Sequence, residues 1–136
     1  MSCIETIKFM KDTKSISKNI KFGKKIKNKL NQYLKEIELF DIIELSGHPA
    51  WLFLKIKSNK PEKSRLIRSY IFQEMVENKI LFLGSFNINY SFNEKNITKI
   101  ISVFKKIFFR IKFNNNLLNK ITYYKLPQPI FKVRSK

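Results

Sequence analysis

A chain of 136 residues and 16.3 kDa is long enough to bury one core and too short for two. Hydrophobic residues at 43%, with only 3 Gly and 4 Pro, exclude collagen-like or long low-complexity organisation and describe a folded domain. The net charge of +18 points toward polyanions, yet only Arg65, Arg68, Arg110 and Arg134 are arginines, and arginine is the residue whose planar fork reads phosphates and bases bidentately. Lysine, together with abundant Ile and Asn, fits codon drift on exposed faces, so nucleic acid is expected to bind only nonspecifically.

In chain order, Ile4, Ile7 and Met10 mark a short helix, and Asp12-Thr13 with Ser15 reads as a break and a fresh cap. Ile16, Ile20, Ile26, Leu30, Leu34 and Ile37 then keep a helical period, with Gly23 on the same stripe, where a missing side chain admits another element. Two strands follow, 41–45 and 51–56, joined by a Gly47-His48-Pro49 turn and therefore antiparallel. Trp51 and Phe53 share one strand face and Leu52, Leu54 and Ile56 the other, and both faces are expected to be partly covered.

Pro61-Glu62 opens a third helix with Ile67, Ile71 and Met75 at four-residue steps, widened by Tyr70. The run 80–83 reads as a short buried strand ended by Gly84. Asn93 caps a last clear helix striped by Ile97, Ile100, Ile101, Phe104, Phe108 and Ile111. After Asn114-Asn115-Asn116, a short helical piece at 117–121 and an extended tail through Pro127 and Pro129 to Arg134 are expected. The fold class is α+β: one domain over 1–136, with leading helices at 1–38, a sheet and helix core at 41–111 and a C-terminal segment at 112–136. Its small, mostly antiparallel sheet is covered by helices on one face.

No catalytic constellation emerges from the residues alone. Cys3 and His48 are the only cysteine and histidine, which excludes an intramolecular disulfide, a cysteine zinc site and a multi-histidine metal site. Gly23, Gly47 and Gly84 are isolated and form no phosphate loop. No lysine stands out as a desolvated nucleophile. The first 20 residues carry lysines and no apolar h-region, and the longest uncharged stretch, 80–93, is too short and polar to span a bilayer. The expected location is cytoplasmic.

One signature runs through Gly47-His48-Pro49-Ala50, Phe72-Gln73-Glu74-Met75, Ile80-Leu81-Phe82-Leu83-Gly84-Ser85 and Asn87-Ile88. In order and spacing it resembles the C-terminal small domain of class III pyridoxal-phosphate aminotransferases, in the branch similar to glutamate-1-semialdehyde aminomutase. Ile4-Glu5-Thr6-Ile7 and Phe22-Gly23-Lys24-Lys25 resemble that family's interdomain helices, and Pro129-Ile130-Phe131-Lys132-Val133-Arg134 its closing run.

The resemblance implies a fold-type I parent enzyme, normally a homodimer, with pyridoxal phosphate held between a large α/β domain and this small one. The aldimine lysine and the phosphate-binding residues belong upstream of the segment matching Ser2-Cys3-Ile4. This chain is therefore expected to have no catalytic or cofactor-binding residue of its own and to lack transaminase competence alone. Gly84, Ser85, Phe86 and Asn87 match the segment near the substrate and are the implied pocket wall. Phe86 and Phe92 stand where relatives often carry histidine, and Asn93 replaces a threonine cap, which leaves the substrate class open. Core packing is an equal reading of the two phenylalanines. The implied partner is the large domain. The alternatives are a standalone lysine-rich nucleic-acid-binding domain and an inactive remnant of the enzyme.

Overall fold

A computed structural model of the chain describes residues 2–114. The expected helix at 117–121 and the tail to Arg134 lie outside the described residues. Helix α1 (Cys3–Asp12) is opened by Ser2 and Glu5, each side chain bonding the other's backbone N–H. Helix α2 (Ser15–Glu36) starts after a left-handed Lys14 with no side-chain cap. The break falls where the sequence placed it, but Ser15 is a buried first helical residue rather than the cap. Ile16 is exposed, and Phe22 takes the buried place on the α2 stripe beside Ile26, Leu30 and Leu34.

The sheet has the order β1-β2-β3, all antiparallel: β1 (Ile43–His48), β2 (Trp51–Ile56) and β3 (Ser85–Asn87). Pro49 and Ala50 alone separate β1 from β2, so His48 belongs to the strand and not to the turn. The expected strand at 80–83 is not one. Leu81 and Leu83 are exposed and only Phe82 is buried, while the ladder forms one step later at Ser85–Asn87, beyond Gly84 with its positive φ. An apolar run fixes neither type nor register when the following glycine turns the chain.

Helix α3 (Pro61–Glu77) takes proline at its first turn, and α4 (Glu94–Phe113) is capped reciprocally by Asn93 and Asn96. Helices and sheet meet in one core. Ile43, Leu45, Leu52, Leu54 and Phe86 point from the sheet toward α2, α3 and α4. Phe82, Phe86, Phe104 and Phe108 stack at centroid distances of 4.5–5.6 Å, the spacing at which aromatic edges and faces attract.

Three contacts tie α2 to the hairpin. A Cβ at Gly23 would overlap the Pro49 carbonyl, so only glycine lets the hairpin tip seat against the helix. Asn31 donates to the Leu45 carbonyl at 2.9 Å and accepts from the Leu45 N–H at 2.9 Å. Lys27 donates to the Gly47 carbonyl at 3.1 Å. These side chains occupy the outer edge of β1, which would otherwise offer unpaired backbone groups to another strand.

Candidate functional site

Side chains alternate between the two sheet faces, and the face turned away from the helices is bare. Cross-strand register puts His48, Trp51 and Asn87 in one row and Ser46, Phe53 and Ser85 in the next, with Glu44 opposite Lys55 beyond them. Trp51 is 53% exposed and Phe53 41% exposed, with ring centroids 5.1 Å apart. The expectation that both faces of β2 are partly covered is corrected here. The apolar residues on both strand faces suggested burial on both sides, but the helices that contact the strands, α2 and α3, pack on one.

This face combines an aromatic floor with neutral hydrogen-bonding groups. Its tip turns at Gly47, where φ is +93° and a Cβ would press on the Phe53 ring and the Trp51 carbonyl. His48 Nδ1 accepts from the Ala50 N–H at 3.2 Å, which fixes the imidazole at the hairpin end. At the other end Glu44 binds Lys57 at 2.7 Å. That hydrogen bond, more than the nearby lysine charges, holds the Glu44 carboxyl below its ordinary value.

Of the segment Gly84, Ser85, Phe86 and Asn87, Ser85 and Asn87 lie on the bare face beside Phe53 and Trp51. Gly84 supplies the turn into β3, its carbonyl accepting from the Leu54 N–H at 2.9 Å. The Phe86 side chain points the other way, into the core between Phe82 and Phe104, and lines no part of this face. Phe92 packs against the same core. Strand alternation alone requires that Phe86 and its two neighbours part company. Trp51, Phe53, Ser46 and His48 were not singled out from sequence as site residues. Their signal was the two-residue hairpin, which sets the register that brings them beside Ser85 and Asn87.

A second apolar surface adjoins the N-terminal helices. In α1 nothing is buried: Ile4, Ile7, Phe9 and Met10 are exposed, Phe9 meeting Tyr90 edge-on at 5.2 Å. Lys18 holds the same loop by donating to the Tyr90 carbonyl at 3.0 Å and sitting 4.4 Å over its ring. Across α3 and α4, Arg110 donates to Glu74 at 2.7 Å beside buried Tyr70. Burial first, then the bond to Glu74, pushes the Tyr70 phenol up to about 12. The bond to Tyr70, followed by the Glu74 charge, raises Arg110 further. This triad is a clamp between helices far from the bare face in the topology.

Among the described residues no group of three His, Cys, Asp or Glu side chains could hold a metal ion. No helix among them is long and apolar enough to cross a membrane. None of the described lysines is buried, so the described residues offer no desolvated amine of the kind an internal aldimine uses.

The described residues define an α+β domain: four helices and a small three-stranded antiparallel open sheet, with α2, α3 and α4 over one sheet face and α1 resting on α2. No protein-family model, curated protein or solved structure matches the chain.

Proposed function

We infer that the chain is the small C-terminal domain of a cytoplasmic class III pyridoxal-phosphate aminotransferase, built to complete a substrate pocket whose cofactor is held by a large domain. The observation that carries the reading is the bare sheet face. An isolated domain gains nothing from leaving a tryptophan and a phenylalanine in water beside two neutral polar side chains. A domain that closes over a partner needs such a face. Ser85 and Asn87, from the segment the resemblance assigns to the substrate, sit on it. The exposed stripe of α1, in the segment resembling the interdomain helices, supplies a second contact.

In this reading the domain performs no chemical step. The large domain's cofactor serves as the electron sink for moving an amino group between donor and carbonyl acceptor. This chain's residues exclude water and orient the substrate. Trp51 and Phe53 provide apolar wall, and Ser85 and Asn87 provide hydroxyl and amide groups for hydrogen bonds to uncharged or carbonyl parts of a substrate.

The experiment is to mix the chain with a class III large domain and measure association by sedimentation. Trp51→Ala and Phe53→Ala should abolish a stoichiometric complex while costing the isolated chain about 1 kcal/mol or less, because both rings are already half in water. A complex that forms equally well with both variants overturns the reading.

A further inference from the structure

The helix layer, on the side away from the bare sheet face, carries a charged seam that the enzyme-domain reading does not use. Helices α2 and α4 run side by side in the same direction. Lys25 pairs with Glu94 at the start of α4, Lys105 lies 4.6 Å over the Tyr33 ring further along, and Lys112 bonds Glu38 at 3.4 Å at the far end. Lys21, Lys25 and Lys29 fall at four-residue steps on α2 and all act on the Glu94 carboxylate, so they form one row along the seam. With Tyr33 next in the same step, the row extends about 18 Å from Lys21 at the helical rise per residue.

Of the seam's acids, Glu94 is neutralised by Lys25 and Glu38 by Lys112, and Glu36, three residues beyond Tyr33, accepts from Gln32 at 3.0 Å; against these the row keeps a cationic excess. At its end lies an open depression of about 280 Å³, lined by Tyr33, Lys105, Lys106, Phe109 and Arg110. The Phe109 ring there is more than half exposed and packs at 4.7 Å on an exposed Phe113.

We propose that the α2–α4 seam is a binding surface for single-stranded nucleic acid, its phosphates following Lys21, Lys25, Lys29 and Lys106 and a base stacking at Phe109. Charge complementarity selects the ligand. A row of ammonium groups in excess over its acids matches a regularly spaced polyanion, whose binding is driven by counterion release. The ring at the end of the row selects the single strand, because only an unpaired base can offer its face to a half-exposed phenyl. Lysine without paired arginine forks holds the backbone and reads no sequence. The seam therefore binds strands without base preference. It lies on a different layer from the proposed pocket wall and does not depend on it.

The test is fluorescence anisotropy of a labelled mixed-sequence 12-mer, titrated over a range of salt, with the full chain. Lys21→Glu/Lys29→Glu/Lys106→Glu should weaken binding more than about tenfold and flatten the dependence of log affinity on log salt by about 0.7 for each phosphate no longer neutralised. A control reversal with the same change in charge, Lys8→Glu/Lys63→Glu/Lys79→Glu, should weaken binding less than about threefold, its residues lying on α1, α3 and the loop after α3. Phe109→Ala should lower affinity for the single strand about fivefold or more and leave the duplex unchanged, because the substitution removes base stacking alone. Equal weakening by both triple variants would mean that net charge alone binds the strand, and the proposal falls. It falls equally if neither triple variant weakens binding, or if the seam governs adhesion to vesicles of anionic lipid while leaving the oligonucleotide unaffected.

Discussion

Gly23→Ala sets two familiar effects against each other. On a solvent-facing helix the change would stabilise by about 1 kcal/mol, because alanine loses less backbone entropy and favours the helix. Here the added methyl meets the Pro49 backbone, which cannot rotate away as a side chain could. Forcing a methyl into a packed contact costs roughly 1–3 kcal/mol, and a backbone neighbour places this site at or above the upper end. The net expectation is a destabilisation of about 2 kcal/mol, or roughly 5–10 °C in melting temperature for a domain of this size. Trp51 is the only tryptophan and follows the displaced hairpin tip by two residues, so its emission should shift in the folded variant as well. Thermal melts followed by circular dichroism and by Trp51 fluorescence test both parts, with Lys24→Ala as the neighbouring exposed control. A Gly23→Ala protein that melts higher than the parent would refute the claimed contact.

Phe104→Ala should cost about 3–5 kcal/mol in urea unfolding, since the ring is fully buried and touches Phe82, Phe86 and Phe108, while Lys106→Ala should stay within about 0.5 kcal/mol. Asn31→Ala should cost about 2 kcal/mol by freeing both backbone groups of Leu45 at the sheet edge, and should raise the tendency to associate at high concentration, read by light scattering. The stability contributed by protonated Tyr70 is fully present below the unfolded phenol value near 10 and is lost as pH rises through about 12, at most on the order of 2 kcal/mol. Tyr70→Phe should remove that component of the alkaline slope when urea midpoints at pH 9 and pH 11.5 are compared. Ser69→Ala should be neutral or stabilising by up to about 1 kcal/mol, because the buried Ser69 hydroxyl has no partner, and a clear drop in stability would point to a bond at that oxygen.

Much of the fold was legible because its signals are local. The α4 stripe, the Asn93 cap, Pro61 at the head of α3 and the Gly23 close approach each follow from residues a few positions apart. What failed depended on long-range choices. Ile80, Leu81, Phe82 and Leu83 have the composition of a buried strand. Only the pairing of Phe86 with Leu52 decides that the ladder starts after Gly84, which leaves Leu81 and Leu83 in water. Ser15 has the chemistry of a cap, yet the left-handed Lys14 turns the chain before it and the serine is buried. The candidate site was half visible. Ser85 and Asn87 came from a sequence resemblance, whereas Trp51 and Phe53 looked like core until the helices were seen to occupy one side of the sheet alone. Phe86 could have been separated from its neighbours by strand alternation once residues 85–87 were known to be a strand.

The most direct measurement of the central claim is hydrogen exchange on the chain alone and mixed with a class III large domain, followed together with Trp51 emission. The proposal predicts slowed exchange in α1 and in Ser85–Asn87 and a blue shift of Trp51 as the bare face is covered, while the α2–α4 seam exchanges as before. Protection confined to the seam, or no protection with Trp51 unchanged, would contradict the assignment of this chain as an enzyme's pocket-closing domain.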